Sequence, residues 1–277
     1  MTETEKKAVG RYLDWHTGIL LETDGKMGIY RKESGKLIYK EKADSEDGYL
    51  GMYLFLMGKY LEKTESTDLP EYWKKGISLA LKKIQSLMQD GITQVSEENT
   101  TVYLMDNLEV WKGLYELEHA GLKDVQAIRE MRNKLQAQIE KLFWDDANQR
   151  WRIIENSNLY HQKEFYPDGV AQIYPLIYEF PVKEKKKQKI LYKQFTERFQ
   201  WQKLTKKRNG FLWAMTGMAA AQMGDINNLV ELIENYEAEY CENRKYPLYT
   251  GEAGWICMEC EKLYSLYERK IKTGFLV

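Results

Sequence analysis

A chain of 277 residues can bury a substantial core, either as one large domain or as two modest ones. Its 41 basic and 42 acidic side chains leave a formal net charge of −1, which excludes a general basic footprint for nucleic acid. The three cysteines, Cys241, Cys257 and Cys260, are odd in number and make no disulfide framework, which fits a reducing compartment.

The opening MTETEKKAVG has no apolar signal core, and no segment reaches the roughly 20 apolar residues of a membrane span, so a cytoplasmic chain without a membrane partner is expected. Residues 5–22 read as an amphipathic helix with an apolar stripe of Val9, Tyr12, Leu13, Trp15, Ile19 and Leu20. GKMGIYRKESGKLIYKEK then reads as a hairpin turning at Glu33-Ser34-Gly35. It delivers the chain to Asp44, Glu46 and Asp47, which open a helix apolar on nearly every side through Leu61 and therefore buried within something larger.

Asp68-Leu69-Pro70 starts an outer helix to about Gln89, and a short strand pair or loop over residues 91–103 leads to the next inner helix at Asp106, with Gly121 as its C-cap. Residues 123–143 form a charged outer helix, FWDDANQRWRIIEN a small hairpin, and Tyr166-Pro167-Asp168 the start of a third inner helix that Pro175 should kink or end. The lysine run at 183–187 reads as the solvated face of an outer helix, because acids follow nearby. A fourth inner helix, starting at Asn209-Gly210-Phe211, runs to Met223, and residues 225–239 are its outer successor. Tyr246-Pro247 then leads into a fifth inner helix, WICMECEKLYSLY. Cys257 and Cys260 spell CxxC there, but they share one apolar face with no second pair and read as small buried residues.

One arrangement recurs. An acid or amide, a small residue and a buried helix return at Asp44 to Asp47, Asp106-Asn107-Leu108, Asp168-Gly169-Val170, Asn209-Gly210-Phe211 and Glu252-Ala253-Gly254, at the spacing of helical hairpins in a repeated array. Capping and the helix dipole explain any one of these acids. Five together predict polar helix tips gathered at one place. About ten alternating outer and inner helices, with no proline- or glycine-rich linker, predict an all-α fold: a single α/α toroid over residues 1–277, with short β-hairpin loops and five or six hairpins.

At this point the chain resembles the six-hairpin glycosidase-like superfamily, whose inner and outer helices form an (α/α)6 barrel around acids that process oligo- or polysaccharides. SEDGYLGM, from Ser45 to Met52, looks like the acid-bearing helix start of family 8 glycoside hydrolases, and Glu46 matches that family's general acid. Asp106-Asn107-Leu108-Glu109 is similar to its second inner helix, which is richer in Asp where this chain has Asn107. Unsaturated uronyl hydrolases and some lyases share the layout. The resemblance implies a carbohydrate cleft more strongly than a particular reaction.

Glycoside hydrolysis requires one protonated carboxyl and one carboxylate on either side of the scissile bond. Glu46 and Asp47 are rival candidates for the acid, Asp106 is the expected base, and Asp168 is in reserve. Asp44, Tyr49, Asn107, Trp111, Tyr166, Trp213, Tyr249, Glu252 and Trp255 stand near the same helix ends as candidate substrate contacts. For Trp213 and Trp255, about one turn into buried helices, filling the core is the better reading. His16, His119 and His161 form no HExxH or ligand cluster, and neither a GxSxG elbow nor a phosphate loop is present, so neither metal nor cofactor is expected. The reading is a carbohydrate-active protein that hydrolyses glycosidic bonds; the rival is a non-catalytic glycan-binding or scaffold protein of the same fold. Sugar, linkage and oligomeric state stay open.

Overall fold

The computed structural model describes residues 1–65, 69–155, 164–203, 213–243 and 249–272. Asp68, His161, Asn209-Gly210-Phe211 and Tyr246-Pro247, which the sequence reading uses, lie outside them. The protein is mostly helical with small two-stranded sheets, as an all-α reading expects. Where the sequence suggests one domain, the chain divides into two compact units, Met1–Asp145 with Arg152–Ser157, and Asp146–Trp151 with Asn158–Val277.

In the first unit, helix α1 (Glu3–Glu22) opens with a capping box between Thr2 and Glu5 and is followed by the hairpin β1 (Gly28–Glu33) and β2 (Lys36–Lys42). Then come α2 (Glu46–Thr64), α3 (Glu71–Leu87), the short strands β3 (Met88–Gln89) and β4 (Ile92–Thr93), α4 (Leu104–His119), α5 (Gln126–Phe143) and β5 (Trp144–Asp145). Contacts give the directions. Asp14 accepts from Trp73 Nε1 at 2.9 Å and Thr17 lies beside Gly76, so α1 and α3 run parallel. Thr17 also meets the Tyr53 hydroxyl at 2.9 Å while Gly10 lies beside Tyr60, so α2 runs opposite to α1. On α5, Gln136 bonds Trp111, and Arg129 and Arg132 bond Glu118, which makes α5 antiparallel to α4.

The closest packing joins α2 to α4. A methyl group on Gly51 would lie 2.7 Å from the Val110 Cα, one on Gly58 2.6 Å from the Glu116 carbonyl carbon, and one on Gly113 would collide with the Gly51 carbonyl oxygen. The partner number rises with position along α2, so the two helices are parallel and their N-terminal tips adjoin. Glycines alone permit backbones this near. Further along the seam, Glu116 pairs with both Lys59 (2.9 Å) and Lys112 (2.8 Å), the Glu116 and Lys112 side chains being almost wholly buried.

The second unit contains β6 (Arg150–Trp151), a wide helical turn at Phe165–Gly169, and α6 (Val170–Ile177), α7 (Lys185–Phe199), α8 (Thr216–Met223), α9 (Ile226–Tyr236) and α10 (Thr250–Lys272). Pro175 sits in the last two turns of α6, which stops at Ile177, so it ends rather than kinks the helix. Phe165 touches Trp213 and Glu179 accepts from Gln222; Ala214 donates to Glu252 and Gly217 rests on Glu259. These pairs run in one direction, so α6, α8 and α10 are parallel, with α7 and α9 alternating between them in the chain. Cys257 and Cys260 are exposed on α10, which corrects the expectation of burial: the buried stripe of that helix runs through Glu252, Ile256 and Glu259 instead. No helix among the described residues is long and apolar enough to cross a membrane.

Candidate functional site

The tips of α2 and α4 bring Asp44, Asp47, Asp106 and Glu109 together in the first unit. At the mouth of α2 the free backbone donors are already served. Ser45 is the N-cap and accepts from the Gly48 N–H at 3.1 Å, while the Val95 carbonyl takes the N–H groups of Glu46 (2.9 Å) and Asp47 (3.4 Å). The start of α4 has no side-chain cap; Leu104 donates instead to the Ile153 carbonyl at 2.9 Å. Asp106 is therefore in the first turn of a helix that does not use it as a cap.

Asp47 is 1% exposed. Its Oδ1 accepts from the Ser45 hydroxyl at 2.9 Å and its Oδ2 lies 2.6 Å from Thr93 Oγ1. Thr93 Oγ1 is in turn 2.8 Å from Asn107 Oδ1. The Asn107 amide orientation is fixed, because its Oδ1 accepts from the Thr93 N–H (2.8 Å) and its Nδ2 donates to the carbonyls of Thr93 (2.9 Å) and Tyr103 (2.8 Å). One threonine hydrogen cannot serve both Asn107 Oδ1 and a charged Asp47. A proton on Asp47 Oδ2 satisfies both contacts, in accord with burial raising this carboxyl above its ordinary value against the opposing bonds from Thr93 and Ser45.

Asp106 is raised to about 8, first by burial and then by the charge of Glu109, with a hydrogen-bond contact to Ser45 opposing. This places its titration on the alkaline side of neutral, which suits a proton donor, where the sequence reading expects Asp106 as the base. Glu109, one turn along the same face of α4, was not singled out as a site residue; the i,i+3 spacing from Asp106 is the signal that could have found it. Glu46 faces other charges, Glu97, Lys26, Lys42 and Lys83, so of the two rivals at the α2 tip it is Asp47 that joins Asp106. Tyr49 stands beside Asp44 and Glu109, and burial together with their charges keeps its hydroxyl protonated.

Two expected substrate contacts are corrected. Asn107 is wholly buried with every amide group committed to Thr93 and Tyr103, and Trp111 is 2% exposed, stacked on Tyr115 at 5.3 Å with its Nε1 on Gln136. Both side chains are committed to contacts within the fold.

The remaining candidates belong to the second unit. Asp168 is buried at the head of α6 and lines a cavity of about 830 Å3 with Arg150, Gln172, Gln194 and Arg198. Trp213 adopts a left-handed backbone (φ +59°), a conformation that costs a non-glycine residue on the order of 1–2 kcal/mol, and its ring meets Tyr166 at 4.8 Å. Glu252 is buried and accepts from the Ala214 N–H at 2.7 Å, which ties α10 to the residues just before α8. Trp255 packs edge-on against Tyr178, and Tyr249 is exposed before α10. Among the described residues, no group of three or more His, Cys, Asp or Glu is placed to hold a metal ion. No family model, characterised protein or solved structure matches the chain.

Proposed function

We propose that the first unit binds a carbohydrate at the joined tips of α2 and α4 and hydrolyses a glycosidic bond there, within an α/α toroid built from the alternating inner and outer helices. The observation that carries this reading is the pair Asp106 and Glu109. One carboxyl is kept protonated by burial and by its neighbour's charge, and the second is close enough to exert that charge. Asp106 gives its proton to the glycosidic oxygen as the bond to the anomeric carbon breaks, a water supplies the oxygen that forms the new bond to that carbon, and Glu109, the second carboxylate, takes up the proton that the water releases. Asp47 carries no step; its bond to Thr93, which also bonds Asn107, ties the tips of α2 and α4 to β4.

Incubation with a panel of oligosaccharides, followed by mass spectrometry of the products, tests the proposal. The wild-type protein should release shorter sugars, with activity falling on the alkaline side near pH 8 as Asp106 loses its proton. Asp106→Asn should reduce turnover by at least about a hundredfold without unfolding the chain. Wild-type turnover in that variant rejects the assignment, and binding without any turnover in the wild-type protein leaves the non-catalytic glycan-binding reading in its place.

A further inference from the structure

The second unit carries its surface charge at two separate places. Residues 183–193 hold six lysines and one acid, whereas residues 225–243 hold Asp225, Glu231, Glu234, Glu237, Glu239 and Glu242 and no Lys or Arg. Lys187 lies 3.5 Å from Asp146 and Lys193 3.6 Å from Glu197, but Lys185, Lys186 and Lys189 are exposed on α7 and form no ion pair among the described residues. Glu234, Glu237 and Glu242 are likewise exposed and unpaired there, on α9 and on the wider helical turn Glu237–Glu242 that continues it. Two contacts orient the helices. The Tyr192 hydroxyl donates to Asp225 at 2.8 Å, and Asn235 Nδ2 donates to the Gln202 carbonyl at 3.1 Å, so α7 and α9 run parallel with the lysines at one end of the pair and the glutamates at the other. At about 1.5 Å per residue, Lys189 stands roughly 18 Å along the pair from Glu234, and Lys186 roughly 27 Å from Glu237. Both spans exceed the screening length of about 8 Å at physiological salt, so the two ends do not neutralise each other within one copy.

We infer that the lysine end of α7 is a docking surface for the acidic end of α9 in a second copy of this chain, so that copies associate head to tail. Lys186, Lys189 and Lys193 line a groove of about 710 Å3 beside Met223 and Ile190, the latter 56% exposed. The acid in that groove, Asp225, does not oppose an incoming carboxylate on its own account, because it already accepts from Tyr192 and from Asn228. A single carboxylate or phosphate head group answers one of these lysines. Three cations over two turns of helix call for a row of anions, and Glu231, Glu234 and Glu237 form one about 9 Å long against about 10 Å from Lys186 to Lys193. Nucleic acid is the poorer fit: no Arg lines the groove, its one ring, Tyr192, is buried, and the chain as a whole is at −1. The two surfaces differ, so the contact is heterologous and repeats from copy to copy, producing rings or open chains.

Sedimentation velocity of the full chain over a concentration series tests this. The wild-type protein should gain mass with concentration at about 50 mM salt, and its association should weaken at least about tenfold by about 500 mM as the charges are screened. Two charge-reversed proteins separate the ends. One carries Lys186→Glu with Lys189→Glu and the other Glu234→Lys with Glu237→Lys; all four positions are exposed, and circular dichroism confirms that both proteins fold. Each alone has like charges at both ends and should stay monomeric at low salt. Their equimolar mixture offers opposite charges at every contact and should associate as the wild-type protein does. A wild-type protein that stays monomeric, association indifferent to salt, self-association of either variant at the wild-type level, or a mixture that stays monomeric would each overturn the inference. Vesicles containing phosphatidylserine and a duplex DNA of about 20 base pairs are added in parallel. Capture of an otherwise monomeric wild-type protein by either one, lost in Lys186→Glu with Lys189→Glu, assigns the lysine end to that partner and likewise overturns it.

Discussion

Asn107 shows how one amide decides the chemistry of its neighbours. Its Nδ2 donates to two backbone carbonyls and its Oδ1 receives the Thr93 N–H, so a carboxylate in its place would set an acceptor against two acceptors. Asn107→Asp should therefore cost about 3–5 kcal/mol, the range for an uncompensated buried charge. The reverse holds across the network. In Asp47→Asn the new amide can donate to Thr93 Oγ1 and still accept from Ser45, reproducing the hydrogen placement of a protonated aspartic acid, so the fold should be unharmed at neutral pH. Urea unfolding of both variants checks the pair, and an equal loss in the two would show that Asp47 is charged. This distinction was invisible in the sequence, where Asp47 and Asn107 both read as polar helix starts. It depends on which atom meets Thr93, a residue 46 positions from one partner and 14 from the other.

At the scale of helices, the site depends on how near α2 and α4 approach. The sequence announced α2 through its all-round apolarity and α4 through a recurring acid, and both begin within two residues of where an acid marks them. It gave no sign that Gly51, Gly58 and Gly113 are the points of contact, because a glycine inside a helix reads only as a weak position. Gly113→Ala separates the two effects. The exchange raises intrinsic helix propensity by about 1 kcal/mol, whereas the added carbon collides with the Gly51 carbonyl, a backbone atom that no rotamer change can move aside. The collision should win, with a net loss of about 1–3 kcal/mol and a thermal midpoint lower by several degrees. Forcing the helices apart also separates the carboxyls at their tips. The Asp106 titration, followed by carboxyl NMR, should then move down from about 8, because burial, the largest cause of its elevation, is relieved as α2 moves away, while Glu109 stays beside it on α4. A stabilised variant with an unmoved titration would mean that the seam does not set the spacing of the tips.

Across the whole chain, the recurrence of acid-marked helix starts was legible, but their division was not: Asp47 and Asp106 fall in one compact unit, Asp168 and Glu252 in the other. A repeat in sequence reports that similar hairpins exist and carries no record of where the chain's contacts thin out. The second unit also contains an acid that periodicity concealed. Glu259, between Cys257 and Glu261 on α10, looks like one member of a solvated face, yet it is wholly buried, with neither carboxyl oxygen hydrogen-bonded, against Gly217 of α8 and near the buried Glu252. Burial, followed by the charge of Glu252, raises it well above 4.5, with only nearby backbone N–H groups opposing. An unfolded chain releases this proton above about pH 4.5 while the folded chain retains it, so the contribution to stability is complete below that value and is lost progressively as pH rises toward the folded group's own titration. Glu259→Gln removes the proton from the balance while keeping the shape. Scanning calorimetry of the full chain should show a thermal transition raised by several degrees at about pH 8 and nearly unchanged at about pH 4.5. If the two units melt separately, only the transition of the second should move, which makes the same experiment a measure of their cooperativity. A destabilised variant at pH 8 would instead mean that Glu259 is ionised in the folded protein and held by the backbone N–H groups of Gly217 and Met218.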